Sequence, residues 1–250
     1  MVTIPNKALL KTSHYPSVAV VAEARQERPV ICQSQPDMDR RSRWQAFWAA
    51  VFLVSVPVFA EAPLVRQVPW LCLLLTLGWL WMATRLRSRP QTALWGDILL
   101  GFVWTWVTGA IYWGWLRWEP LAHIPVEALG LPLAVWCILR GWGLLGNWFY
   151  LGSLLGTALT DAYLYLTDLT PYWREVMRVD PQTAVLLLRE AALQVQTPWG
   201  IANAIAIAAL LVAIGLWALQ KPQPHWRAFA GAVLCTIVVD GLFWTVALLG

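Results

Sequence analysis

Charge is what this chain has least of. Asp, Glu, Lys and Arg make up 13% of its 250 residues, against roughly a quarter in soluble domains. That excludes an ordinary water-facing surface and leaves lipid as the solvent of much of the chain. Cysteine is sparse too: Cys32, Cys72, Cys137 and Cys235 stand alone with no CxxC pairing. Three of them lie in apolar segments, where cysteine acts as a small hydrophobe. A disulfide framework or a zinc site is therefore not implied. The histidines are His14, His123 and His225. They fall in the N-terminal tail and at opposite membrane faces, which excludes a bis-histidine haem. Walker, GxSxG and HExxH motifs are absent, so nucleotide-hydrolase, serine-hydrolase and zincin chemistry have no footing.

What is present is apolar and aromatic. Hydrophobic residues reach 59% with 19 tryptophans, and the mean hydropathy is +0.56. Indoles suit the membrane–water boundary, where an apolar body and one N–H donor are both satisfied. The net charge of +4 does not imply nucleic acid, because most of the basic residues flank apolar runs. The expected partner is the lipid bilayer, with a larger membrane complex as a further partner.

Residues 1–43 mix charged residues, Gln, Pro and Ser with brief apolar patches. They read as a disordered basic tail. Residues 44–250 read as an all-α, polytopic transmembrane helix bundle of about seven spans. These are Trp44–Ala60, Val68–Thr84, Leu94–Trp115, Leu121–Leu139, Gly143–Leu166, Gly200–Leu219 and Trp226–Leu249. The fourth is the weakest, because it carries His123, Pro125, Glu127 and Pro132. Gly141-Trp142-Gly143 reads as a tight hairpin turn.

Seven crossings put thirteen of the 18 basic residues on the side of the tail, which is then cytoplasmic, with the C-terminus opposite. A re-entrant fourth segment would exchange two groups of three basic residues and leave the balance unchanged, so charge does not choose between six and seven. The longest link runs from Thr167 to Trp199. Thr170-Pro171 and Asp180-Pro181 are helix-start signals. Ala184, Leu187, Leu188, Ala191 and Val195 form one stripe, which predicts an amphipathic helix on the outer surface or capping the bundle.

Ionisable groups within spans are costly and mark candidate sites. The candidate intramembrane polar site comprises Glu127, Asn147, Ser153, Thr157, Asp161 and Asp240. Glu127 and Asp161 share a depth near the outer face, with Asp240 deeper. Such carboxylates bind a cation, relay a proton or hold helices together. Asp97 reads as a carboxylate near a helix N-terminus. Gly152, Gly156 and Thr160 form a small-residue line, whose plain reading is close helix packing. No catalytic residue, metal site or cofactor is implied.

Tyr150-Leu-Gly-Ser-Leu-Leu-Gly-Thr-Ala-Leu-Thr-Asp161, Pro171-Tyr-Trp-Arg174 and Thr197-Pro-Trp-Gly200 carry a resemblance, joined by Trp118-Glu-Pro120 and Pro125-Val-Glu127. Over residues 44–250 the chain resembles a cyanobacterial family of multi-span membrane proteins, a domain of unknown function. The resemblance implies a photosynthetic prokaryote and a thylakoid or plasma membrane, and it carries over no functional residue. Three functions fit the residues. An accessory or assembly factor of a photosynthetic membrane complex comes first. A small-solute or ion-coupled transporter comes second, and a membrane enzyme acting on a lipid or pigment precursor third.

Overall fold

The computed structural model describes residues 40–249, all within one compact unit. The tail expected over residues 1–43 lies outside the described residues except for its last four. Those four are helical, so Arg40, Arg41 and Arg43 belong to the first helix.

We number nine helices among the described residues: α1 Arg40–Gln67, α2 Pro69–Arg87, α3 Ala93–Leu116, α4 Pro120–Leu139, α5 Leu144–Leu166, α6 Thr170–Val176, α7 Pro181–Val195, α8 Pro198–Leu219 and α9 Pro224–Leu249. Six of them, α1 to α4, α8 and α9, are long and apolar enough to cross a membrane. The fold is thus an all-α polytopic bundle. The remaining expected span, α5, is not among the six. Its 23 residues reach about 34 Å at helical rise, against roughly 30 Å of hydrocarbon. Its composition departs from the others because Gly146, Gly152, Gly156, Thr160 and Asp161 on it meet other helices.

α5 is the centre. It packs against α9, α3 and α4, while α1 lies on α9, α2 on α3 and α8 on α9. The crossings work through missing side chains. A Cβ on Gly101 would stand 2.0 Å from the Gly146 carbonyl oxygen, so α3 and α5 touch backbone to backbone. On the other side of α5, Gly152 meets the Phe229 carbonyl and Gly156 meets the Thr236 hydroxyl of α9. The small-residue line Gly152–Gly156–Thr160 therefore faces α9. The core fills the remaining space with Ile98, Phe102, Trp106 and Phe149, beside Ala46, Ala50 and Ala232.

The two ends of the bundle differ. At one end Arg43 donates to the Pro222 carbonyl at 3.2 Å, and the Arg227 guanidinium sits 5.0 Å over the Trp44 ring. His225 stacks on Trp148, one turn into α5. The α4–α5 hairpin lies at this arginine-rich end, with Gly141 and Gly143 at φ of +70° and +57°. Only glycine takes those angles without strain. Exposed indoles mark the boundaries, with Trp70 and Trp199 at the far end and Trp142 at the near one.

Two helices run differently from expectation. The first was expected to end at Ala60. Instead the chain absorbs Pro57 in a π-helical turn, Pro57–Glu61, and continues to Gln67. The extra residue in that turn accommodates a proline that lacks an N–H donor. α3 ends in a second π-helical turn, Tyr112–Leu116. α4 is one broken rod: 3₁₀ turns at Pro120–Ala122 and Ala128–Gly130 bracket the helical His123–Glu127.

In the long link, Asp180 accepts from the Gln182 and Thr183 N–H groups and so caps α7. Thr197 caps α8 through the Gly200 N–H. Thr170 makes no side-chain cap and is the first residue of α6. That corrects the expected cap there. α7 turns Ala184, Leu187, Ala191 and Val195 inward and leaves Leu186, Leu188 and Leu193 exposed.

Candidate functional site

The far end of the bundle holds a carboxylate–histidine–carboxylate bridge, in which His123 and Glu127 are partly buried and Asp161 is buried. His123 opens the middle segment of α4, and Glu127 follows four residues later, on the same helical face. The His123 Nε2 lies 3.1 Å from Glu127 Oε1, and its Nδ1 lies 3.1 Å from Asp161 Oδ1 on α5. Asp161 is 4% exposed. The ring is held from above as well. Tyr112, on the π-helical turn of α3, stacks on it with centroids 4.0 Å apart and planes 17° apart. The Tyr150 hydroxyl donates to the Glu127 carbonyl, which fixes the break in α4.

A third carboxylate stands beside this bridge. Glu61 is 0% exposed, and neither of its oxygens has a hydrogen-bond partner among the described residues. It projects from the π-helical turn of α1 toward Gly109 of α3, where a Cβ would lie 3.1 Å from its Oε2. Glycine there leaves room for the carboxylate. Glu61 is within electrostatic reach of Glu127, as Asp161 is of Asp240. The Thr160 hydroxyl donates to Asp240 Oδ2 at 2.8 Å, next to Asp161 in sequence. Four acids and one histidine from α1, α4, α5 and α9 thus form a line from the far end toward mid-depth.

α6 closes the line off. Trp173 donates through Nε1 to the Arg117 carbonyl at 2.8 Å, and its ring packs on Trp113 at 5.8 Å. Arg174 reaches Glu119 at 2.8 Å. That hydrogen bond, with the Leu121 N–H, holds the Glu119 carboxyl below its ordinary 4.5. A depressed folded value stabilises the fold above the ordinary value, and this contribution is lost as pH falls through the depressed one. The stability difference between wild type and Glu119→Gln should therefore be fully present at neutral pH and shrink as pH falls below the ordinary carboxylate value of 4.5. Paired unfolding titrations would check it. The pair is exposed, so the difference is small.

Of the residues singled out from sequence, Glu127 and Asp161 meet through His123, and Asp240 joins them through Thr160. Asn147 does not. It lies at the arginine-rich end and donates to the Gly143 carbonyl at 2.8 Å. Thr157 turns its hydroxyl to the Ser153 carbonyl of its own helix, so neither joins the bridge. Asp97 caps α5 from α3, accepting from the Leu145 N–H at 3.0 Å. Sequence reasoning missed two central groups. His123 was weighed only as a haem ligand, although the His123–Glu127 spacing is itself a signal. Glu61 was missed because it falls one residue beyond the expected end of the first span, Ala60, whereas the helix runs on to Gln67.

No group of three or more His, Cys, Asp or Glu among the described residues is arranged to hold a metal ion. Cys72, Cys137 and Cys235 are free thiols.

The fold and the buried polar line define a polytopic membrane protein with ionisable groups inside its bundle. The chain belongs to the family described as protein of unknown function (DUF3120), whose model matches residues 50–248. No curated protein and no solved structure matches it.

Proposed function

We propose that the protein is a proton-linked membrane transporter in which Glu127, His123 and Asp161 form the proton-exchanging centre. One observation carries this reading: a partly buried imidazole is engaged at both ring nitrogens by carboxylates from two helices. A protonated ring donates to both acids. A neutral ring donates to one and accepts from the other only when that acid holds the proton. A proton arriving at one carboxylate can thus leave from the other, with the ring passing it on. Glu61 supplies an acid on one side and Asp240 carries the line deeper. Ionisable groups are rare within membranes, and proton relays are a main reason to keep them.

In this reading the arginine-rich end is cytoplasmic, α5 also crosses and brings the total to seven, and the C-terminus lies opposite the tail. The membrane is the thylakoid or plasma membrane of a photosynthetic prokaryote, as the sequence resemblance implies. The test is purified protein in liposomes carrying a pH-sensitive dye and an imposed pH gradient. Wild type should dissipate the gradient, and Asp161→Asn should not. Equal dissipation by both, or none by wild type with candidate solutes on either side, would overturn it.

A second reading is an accessory factor of a larger membrane complex. It rests on Leu186 and Leu193, which α7 leaves 61% and 66% exposed at the far end. Co-migration with a larger species in mild detergent would support it. The bridge places transport ahead, because docking does not require titratable groups inside the bundle.

A further inference from the structure

The arginine-rich end carries a second site, unrelated to the proton line. A cavity of about 510 Å³ lies between α2 and α4 over the face of α3, bounded at one end by the α4–α5 hairpin. Leu80, Val107 and Leu133 wall its length, while Arg87, Asp97 and Asn147 line its polar part. α2 and α4 bury little of their surface within the bundle, so the slot opens toward lipid.

We propose that this cavity binds one phospholipid with a hydroxyl-bearing headgroup, of the phosphatidylglycerol type. One acyl chain fills the slot. The phosphate meets Arg87, which is exposed and closes no ion pair with Asp97. A headgroup hydroxyl donates to Asp97 Oδ1, which is buried without a partner among the described residues. The other oxygen, Oδ2, already accepts from the N–H groups of Leu145 and Gly146 at 3.0 and 3.4 Å. The nearby Arg87 charge and the helix N-terminus together answer much of the charge of Asp97. What remains is an unused acceptor, and a hydroxyl costs less to desolvate there than an ammonium. Lipid-facing walls, a cation at the boundary and an unused buried acceptor together select such a headgroup over an apolar molecule.

The test is native mass spectrometry of the delipidated full chain in mild detergent. Phosphatidylglycerol, phosphatidylethanolamine and phosphatidylcholine with the same chains are titrated in. Wild type should bind phosphatidylglycerol about tenfold more tightly than phosphatidylcholine, the scale of one charge-assisted contact. Arg87→Gln, and Leu133→Trp within the slot, should each lose about tenfold of that affinity. Arg85→Gln, exposed on the same turn but outside the cavity, should change nothing. Arg87 and Leu133 are exposed, so both variants should fold. Equal binding of all lipids, equal binding by all variants, or a preference for phosphatidylethanolamine would each overturn the assignment.

Discussion

His123→Ala should abolish proton-linked flux and lower the unfolding free energy by about 3–5 kcal/mol, the usual cost of removing one member of a buried ionic network. The ring engages one oxygen of Glu127 and one of Asp161 at once and packs against Tyr112. Without it, two acids face an emptied site with nothing between them. His123→Gln separates the two roles. An amide still donates and accepts, so part of the stability should return, but an amide does not take up a proton in this range. Flux should stay absent. Tryptophan fluorescence during denaturant titration reads the first quantity, and dye-loaded liposomes read the second. Full flux in His123→Gln would show that the ring is only a spacer and would remove it from the proton path.

Gly101→Val should be at least as damaging to the fold, by about 3 kcal/mol or more, at or above the top of the usual range for overpacked cores. The new Cβ would stand 2.0 Å from one backbone atom of Gly146 and 2.6 Å from another. Neither is a flexible side-chain end that could swing away. α3 and α5 must part, which opens the packing of Phe102, Trp106 and Phe149. Gly78→Val is the matched control, since nothing lies within 4 Å of a Cβ there. Its thermal midpoint in detergent should match wild type. A midpoint for Gly101→Val equal to that of Gly78→Val would refute the close helix crossing.

The parts of this structure legible in sequence are those governed by neighbours along the chain. Apolar runs gave the helices to within a few residues, except the first, which runs from Arg40 to Gln67 instead of Trp44 to Ala60, and the Gly141-Trp142-Gly143 turn and the Asp180 cap were local signals. Glu61 was not legible. A proline inside an apolar run usually stops a helix, and only packing against Gly109 shows why this one continues through a wider turn. The bridge was half legible. Glu127 and Asp161 stood out as costly groups at one depth, but the imidazole joining them depends on how α4 breaks. Asn147 was grouped with the acids because it shares α5 with Asp161, yet it sits at the other end of that helix and bonds the Gly143 carbonyl.

The polar, glycine-lined α5 also constrains how the chain is made. Taken alone it is a poor passenger for a bilayer, since its small and hydroxylated face finds a match only on α3 and on α9. α3 precedes it from the ribosome, but α9 follows it. α5 must therefore wait, sheltered by the insertion machinery or by an immature bundle, until α9 arrives.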